Sequence, residues 1–237
     1  MLQTDRNVAE NLKGLRNSIA EAALRAGRQP EEITLVGVSK TQPVESVVAA
    51  VSAGLVHFGE NRVQEAAAKI PLVKQVTIGK PVLFHMVGHL QSNKAGSAVG
   101  LFDYVDSVDS VRLAQVLSRR LQVEGCGELA VRVEVYVGDD ARRPGLRPDH
   151  LVDAVGQILE VPGLRVEGLM TVAPLGGDAR AAFAHVRALK HTLADTFPRV
   201  HFGVLSMGMS DDYVLAIQEG STEIRIGTAL FGPRRNY

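Results

Sequence analysis

Lys40 is the residue in this sequence with the clearest capacity for covalent chemistry. It follows residues 34–39, a β-branched run that predicts a buried strand ending in a cationic side chain. A lysine amine shielded from water loses part of its preference for the charged form, and the free amine condenses with an aldehyde to give a Schiff base. A lysine that only places its charge in solvent at a strand end has the same local sequence, so this stretch alone leaves both interpretations open.

A second group of residues has the composition of an anion site. Residues 206–210 (SMGMS) place a glycine between hydroxyl side chains, and Asp211 and Asp212 follow at the predicted start of a helix. Gly227 and Thr228 add a glycine that permits close backbone approach and a hydroxyl donor. Such groups bind phosphate in many proteins, but they also form ordinary turns and helix caps. Both interpretations remain open for this group.

Arg225 is the third candidate, because it lies between Ile224 and Ile226 in an apolar strand run. A guanidinium buried without a partner is costly, so Arg225 requires one. Glu60 or Glu223 could serve structurally, and an acceptor atom on a ligand could serve functionally. An arginine that faces a pyridine nitrogen keeps that nitrogen unprotonated, which weakens the electron sink on which carbanion chemistry depends.

The elements that must position these residues alternate between strand and helix. An amphipathic N-terminal helix is predicted over residues 4–26. Eight strands are predicted, at residues 34–38, 55–58, 82–87, 104–107, 129–137, 164–171, 202–206 and 223–231. Helices are predicted between them, at residues 44–53, 62–70, 93–99, 111–122, 148–159, 178–197 and 211–218. Eight strand-helix units favour an α/β fold with one closed (β/α)8 TIM barrel, in which the residues after the strands share one rim.

Composition limits the domain organisation and the classes of partner. With 237 residues and 46% hydrophobic content, the chain is predicted to form one domain over residues 1–237. Lys and Arg total 26, as do Asp and Glu, which argues against nucleic acid or an anionic membrane as a partner. A single cysteine, Cys126, excludes an internal disulfide. No apolar stretch has the length of a signal peptide core or a membrane span, so a cytoplasmic protein is expected.

Other chemistry-bearing patterns are weaker. His85 and His89 are four residues apart, but Gly88 and the strand context separate them from a common helical face, and no metal site is predicted. Asp103, Asp106 and Asp109 lack the glycine and terminal glutamate of a calcium loop, and no nucleophile elbow, Walker loop or dinucleotide fingerprint is present.

Six motifs, taken in order, closely resemble the pyridoxal phosphate homeostasis protein family. They span nearly the whole chain: VSKT at 38–41, FGEN at 58–61 with VQE at 63–65, HMVGHLQSNK at 85–94, GLMT at 168–171, SMGMSDD at 206–212 and GSTEIRIGTALFG at 220–232. The resemblance implies the barrel of the alanine racemase N-terminal domain, binding of pyridoxal 5'-phosphate (PLP) as a Schiff base on Lys40, and a role in PLP homeostasis by buffering or delivery. The cofactor-binding residues that it implies are Lys40, Asn61, His85, Ser206, Arg225, Gly227 and Thr228. Among them, it implies that Ser206, Gly227 and Thr228 hold the phosphate, that Arg225 faces the pyridine nitrogen, and that Asn61 and His85 lie beside the ring.

The chain departs from the family pattern at three places. Gln42 stands where many members have a second lysine, Tyr136-Val137 replaces an Asn-Ile segment, and residues 141–145 (ARRPG) replace a lysine-containing loop. Racemisation on this barrel needs a second acid-base group, which alanine racemase takes from a further domain, and Tyr136 is the one candidate at the rim. A non-catalytic, monomeric carrier that supplies PLP-dependent apoenzymes is therefore predicted. The alternatives are a weak PLP-dependent amino-acid racemase and an aldolase acting on a phosphorylated sugar.

Overall fold

Eight parallel strands close into a barrel, in the order of the sequence, within residues 3–140 and 142–233, which the computed structural model describes. The strands are β1 Thr34–Val38, β2 His57–Glu60, β3 Leu83–Met86, β4 Tyr104–Val108, β5 Leu129–Glu134, β6 Leu164–Met170, β7 Val204–Ser206 and β8 Glu223–Ile226. The helices are α1 Gln3–Arg25, α2 Val44–Ser52, α3 Val63–Val76, α4 Ala95–Ala98, α5 Val111–Glu124, α6 Pro148–Leu159, α7 Ala179–Thr196, α8 Tyr213–Gln218 and α9 Thr228–Phe231. Short 3-10 turns occupy Pro30–Glu32 and Ser92–Lys94.

Strand β1 closes the barrel by pairing with β8 on one side and β2 on the other. The closed parallel sheet confirms the predicted (β/α)8 fold, and it brings the carboxyl ends of all eight strands to one rim. Both faces of its strands are covered, and every residue of β5 is buried, including the charged Arg132 and Glu134. The assignment of residues 1–237 to one domain stays a prediction, since the chain ends lie outside the described residues.

Local sequence sets the limits of several helices. The Ser110 hydroxyl caps α5 by accepting a hydrogen bond from the backbone N–H of Leu113 at 3.2 Å, and Gly125 ends that helix with a φ of +64°. The N-terminal helix α1 packs against α2, α8 and α9. Its predicted apolar face is buried at Val8, Leu12, Leu15, Ile19 and Ala23, whereas Leu24, which was assigned to the same face, is exposed.

The structure differs from the predicted elements at several joints. Strand β2 is His57–Glu60 and not 55–58, and β5 ends at Glu134 and not at residue 137. Larger differences are found at β8 and α3. Residues 223–231 were predicted as one strand, but β8 ends at Ile226 and Thr228–Phe231 form the short helix α9. An apolar run of this length fits either element, and Gly227 separates the two. Helix α3 continues through Pro71 to Val76, beyond the predicted end at residue 70, because Ile70 and Val73 bury their side chains in the core on both sides of the proline.

Helix α8 begins at Tyr213, two residues after the predicted start. Asp212 precedes it and accepts a hydrogen bond from the N–H of Met209 at 2.6 Å, so this carboxylate closes the preceding loop. Among the described residues, no helix is both long and apolar enough to cross a membrane.

Candidate functional site

A cavity of about 470 Å³ opens at the carboxyl ends of the strands. This is the rim at which (β/α)8 barrels place their ligands. Five of the seven residues predicted to bind a cofactor line it, namely Lys40, Asn61, Arg225, Gly227 and Thr228. Its other lining residues are Val38, Gln42, Val87, Arg143, Val172, Met209, Ser210, Asp211 and Gly232.

Lys40 and Asn61 reach the cavity from neighbouring strands. Lys40 lies two residues beyond the end of β1, and Asn61 directly follows β2. The two strands are parallel with Val38 opposite Gly59, so the segments that follow them leave the barrel side by side. The topology therefore brings the candidate covalent lysine next to a side-chain amide.

Arg225 is held from beneath the cavity by neutral groups. Its Nη1 donates to the hydroxyl of Ser206 at 2.7 Å, and its Nη2 donates to the carbonyl oxygen of Thr171, also at 2.7 Å. Burial lowers the pKa of the guanidinium, although nearby carboxylates oppose that effect. In the described part of the chain, no carboxylate lies within ion-pair distance of Arg225.

The two carboxylates offered by the sequence as partners for Arg225 are engaged elsewhere. Glu60 pairs with Lys69 at 2.8 Å, and Glu223 pairs with Arg132 at 3.2 Å. The guanidinium of Arg225 is thus oriented by two acceptors while it lines the cavity, which leaves its other N–H groups available for an acceptor on a ligand.

Gly227 and Thr228 form the wall of the cavity where β8 passes into α9. A β carbon on Gly227 would lie 3.4 Å from the carbonyl oxygen of Val38, an ordinary contact, so packing within the protein does not demand a glycine there. Gly208, in the neighbouring loop, does require glycine: its φ is +99°, and a β carbon would lie 2.6 Å from that of Ala216. The wall is therefore lined by backbone and small hydroxyls that a phosphate can approach closely.

The charge of the cavity is predominantly positive. Lys40, Arg143 and Arg225 line it, and Asp211 is the only carboxylate among its lining residues in the described ranges. Sequence reasoning missed Arg143, which was noted only as a departure from the family pattern, and Ser210, which was noted only as part of the loop. A loop arginine that follows a barrel strand is the signal that could have identified Arg143. Three cations around one cavity favour a ligand with more than one negative charge.

Two predicted site residues, Ser206 and His85, lie beneath the cavity and are absent from its lining. Both side chains are completely buried. The hydroxyl of Ser206 accepts the bond from Arg225 described above, so it supports the arginine from below. The imidazole of His85 bonds to His57 at 2.9 Å and to Asp106 at 3.0 Å, and it stacks on Tyr104 with ring centroids 4.3 Å apart. Direct contact of either residue with a cofactor stays a prediction.

His85, Asp106 and Glu223 form the one group in the described residues whose ligand atoms are close enough to hold a metal ion, within 4.8 Å of one another. Arg132 already supplies a positive charge there, with Nη1 3.3 Å from Asp106 and Nη2 3.2 Å from Glu223. Burial raises the pKa of Glu223, with Asp106 adding to the effect. The cluster therefore serves as an ion-paired filling of the barrel interior. His89, the other histidine considered for a metal pair, instead contacts Asp109 at 3.0 Å.

Comparison with known proteins identifies the family. The model of the family described as alanine racemase, N-terminal domain, matches residues 11–235. The pyridoxal phosphate homeostasis protein of Escherichia coli K12 is 37% identical over 229 residues, which cover 96% of this chain and 97% of that protein. The protein of the same name from Pseudomonas aeruginosa is 39% identical over 227 residues and 96% of each chain. The chain belongs to the pyridoxal phosphate homeostasis protein family.

Solved structures agree with this membership. The PipY protein of Synechococcus elongatus, in a structure with PLP bound, is 38% identical, with a TM-score of 0.82 over 95% of this chain and all of that one. The same protein without PLP gives a TM-score of 0.84 at 37% identity, with the same shares of the two chains covered. Alanine racemase from Clostridium difficile is only 16% identical with a TM-score of 0.73, and 61% of its length is covered, so that likeness concerns the fold alone.

Gln42 and Tyr136, two of the departures from the family pattern, differ in their position relative to the cavity. Gln42 lines the cavity, so the change from lysine affects its charge directly. Tyr136 is buried, with the guanidinium of Arg147 4.7 Å above its ring and that of Arg143 at 5.7 Å. It is absent from the residues that line the cavity. The tyrosine considered as a second acid-base group therefore packs beneath two arginines.

Proposed function

We propose that this protein binds pyridoxal 5'-phosphate in the Lys40 cavity, joined covalently to the lysine amine, and acts in intracellular PLP homeostasis by buffering or delivering the cofactor. The observation that carries the proposal is that Lys40, Asn61, Arg225, Gly227 and Thr228 line one cavity at the carboxyl rim of the barrel. The relatives named above support the choice of ligand, since they carry the name of this function and PipY is described with PLP bound.

The residues fit the chemistry of the ligand. A phosphate monoester carries nearly two negative charges at neutral pH, which suits a cavity with three cations. Gly227 and Thr228 offer close backbone approach and a hydroxyl donor for that phosphate. Lys40 supplies the amine that condenses with the aldehyde and releases water. When bound, the cofactor supplies a reversible aldehyde and an electron-withdrawing ring.

Arg225 favours retention of the cofactor over catalysis on it. A guanidinium keeps its charge at physiological pH, so a pyridine nitrogen that accepts from it stays unprotonated. An unprotonated ring is a weaker electron sink for carbanion chemistry. Racemisation also needs a second group on the opposite face, and Tyr136, the candidate for that role, is packed beneath Arg143 and Arg147. The proposal is therefore a carrier without a robust catalytic activity.

The proposal includes three finer statements. The recipients are PLP-dependent apoenzymes, because an aldehyde held on one lysine is transferable to another amine. The protein acts as a monomer. It resides in the cytoplasm, which is consistent with the single exposed and unpaired cysteine, Cys126.

Absorbance spectroscopy tests the proposal directly. The purified protein incubated with PLP is expected to turn yellow and keep its colour through gel filtration, and borohydride reduction should fix the label on Lys40 in a peptide map. An unlabelled Lys40 would overturn the proposal. Incubation with L-alanine should give no D-alanine above background, whereas Lys40-dependent inversion would establish a racemase. A colourless protein that captures a phosphorylated sugar on borohydride reduction would establish an aldolase.

The replacement Arg225→Ala is expected to weaken PLP affinity about tenfold or more, which is about 1.4 kcal/mol or more, and to lower the free energy of unfolding by less than that. Loss of the charge-assisted bonds to Ser206 and Thr171 costs stability, but removal of a buried guanidinium relieves its desolvation and offsets part of that cost. Spectral titration with PLP and urea unfolding of the cofactor-free protein measure the two effects. Arg165→Ala, on the exposed start of β6, is the matched control and should leave affinity unchanged. Equal losses of affinity and stability in Arg225→Ala would assign the arginine a structural role only.

A further inference from the structure

A buried ammonium group lies directly beneath the turn that carries Lys40. Lys69 belongs to α3, and its side chain is buried. Its Nζ donates to the carbonyl oxygen of Ser39 at 2.7 Å, to Glu60 Oε1 at 2.8 Å and to Glu65 Oε1 at 2.8 Å. All three ammonium protons thus have acceptors, as a buried lysine requires.

The acceptors of Lys69 extend to both sides of Lys40. Glu60 Oε1 also accepts from the hydroxyl of Ser39 at 2.7 Å, and Glu65 Oε1 accepts from the backbone N–H of Thr41 at 2.6 Å. The carbonyl of Ser39 belongs to the peptide unit before Lys40, and the N–H of Thr41 belongs to the unit after it. Lys69 therefore holds the peptide plane before Lys40, Glu65 holds the plane after it, and Glu60 holds the side chain of Ser39.

The turn held in this way is strained. The N–H of Gln42 bonds back to the carbonyl of Ser39 at 3.0 Å, so Lys40 and Thr41 are its central residues. Thr41 has a φ of +61° and is the one non-glycine residue with a positive φ in the described ranges. Turns with a positive φ at this position normally carry glycine or asparagine, and a β-branched residue there persists only when its surroundings hold it.

We propose that Lys69 is a positioning residue for Lys40. Its charge allows Glu60 and Glu65 to share one site, and Glu65 in turn holds Thr41 in the strained turn. Without the ammonium, the two carboxylates repel each other, Glu65 moves to the adjacent solvent and releases the N–H of Thr41, and Lys40 loses its fixed direction toward the cavity. This inference rests on the proposed covalent binding at Lys40, and it adds a residue that touches neither the cofactor nor the cavity.

Comparison of two ligands separates positioning from general structural support. Pyridoxine 5'-phosphate has the ring and phosphate of PLP but an alcohol in place of the aldehyde, so its binding does not depend on the direction of Lys40. The variant Lys69→Met is expected to bind PLP about tenfold more weakly than the wild type, and the absorbance change on covalent binding of PLP should be about tenfold slower. Its affinity for pyridoxine 5'-phosphate should fall by less than about twofold. The control is Lys74→Met on the same helix. Lys74 is half-exposed, and its long ion pair with Asp103, at 4.0 Å, does not involve the Lys40 turn, so this variant should bind both ligands as the wild-type protein does.

Two further variants keep the test decisive. Glu65→Ala removes only the partly exposed anchor of Thr41 and should reduce PLP affinity in the same selective way, even if Lys69→Met does not fold. Lys69→Cys in a Cys126→Ser background, alkylated with 2-bromoethylamine, restores an ammonium at nearly the same position and should recover PLP binding. Equal losses for PLP and the alcohol, or unchanged PLP affinity in the folded variants, would overturn the proposal. Failure of the wild-type protein to label on Lys40 would instead overturn the proposed function.

Discussion

Replacing Lys40 with alanine is expected to abolish retention of PLP through gel filtration. The covalent bond is the interaction that survives dilution, and without the amine the affinity should fall by at least about 100-fold. The variant should be colourless after incubation with PLP, and reduction with borohydride should leave no label in the cavity. Absorbance spectra and peptide mapping by mass spectrometry measure both outcomes.

The variant Lys40→Arg distinguishes the charge of Lys40 from its reactivity. Arginine keeps the positive charge beside Arg143 and Arg225, but it cannot lose its proton to form the bond. We expect this variant to be colourless as well, yet to bind pyridoxine 5'-phosphate within a few fold of the wild-type protein because the cations around the phosphate are retained. A persistent yellow colour in either variant would place the covalent site on another lysine.

Strand topology explains why five of the seven predicted site residues meet at one cavity. Lys40, Asn61 and Thr228 follow separate strands, and a closed parallel barrel brings the segments after all strands to one rim whatever their separation in the chain. Once the strand-helix alternation indicated eight units, these residues were expected to meet. The prediction depended on which strands are followed by polar or charged side chains, and those residue types are read directly from the sequence.

The sequence did not predict how deep the side chains of Ser206 and His85 lie along the barrel axis. Ser206 and His85 belong to β7 and β3 near their ends, yet their side chains point into the barrel interior beneath the cavity. Strand alternation predicts which face a residue occupies, but it does not determine whether the side chain lies at the floor of a cavity or one layer below it. The support of Arg225 by Ser206 required the three-dimensional structure for the same reason.

The network around Lys69 was missed because its parts lie on different elements. Glu65 and Lys69 are four residues apart on α3, a spacing typical of a surface ion pair. Nothing local indicates that this pair is buried against the turn after β1 or that Glu60 joins it from β2. The positive φ of Thr41 was equally invisible, since threonine is not a residue that signals a left-handed conformation.

Glu134, at the end of β5, is expected to make the stability of the protein depend strongly on pH. Its carboxyl group is buried, and Oε2 has no hydrogen-bond partner within the described residues. Burial raises the pKa of this group to about 7, with the negative charge of Asp109 adding to the effect and Arg225 opposing it. The folded state therefore keeps a proton on Glu134 over a pH range in which the unfolded chain has lost it.

The sign of the resulting pH dependence follows from that difference. Below pH 4.5, the unfolded pKa, Glu134 is protonated in both states and causes no loss of stability. As the pH rises from 4.5 to about 7, the folded state must keep the proton on Glu134 or bury its charge. The free energy of unfolding therefore falls, by about 3 kcal/mol once the pH has passed 7. His57 acts in the opposite direction, because burial lowers its pKa to about 4 and stability is lost as the pH falls from 6.5 toward that value. The total pH profile of the wild-type protein thus combines opposing contributions.

The difference between wild type and Glu134→Gln isolates the contribution of this carboxyl group. Glutamine has the same shape without the charge, so the variant should be more stable than the wild type by about 3 kcal/mol at pH 8 and nearly equal to it at pH 4.5. Urea unfolding of the cofactor-free proteins at the two pH values measures the difference, and Asp153→Asn, an exposed carboxyl on α6, should show no such change with pH. A difference of the same size at both pH values would contradict the prediction by showing that folding leaves the pKa of Glu134 unchanged. A variant less stable than the wild type at pH 8 would show that Glu134 is stabilised as a carboxylate. The positive charges of Arg225 and Arg143 favour the ionised form of Glu134. That result would therefore mean that these two arginines of the cavity also stabilise the buried carboxylate.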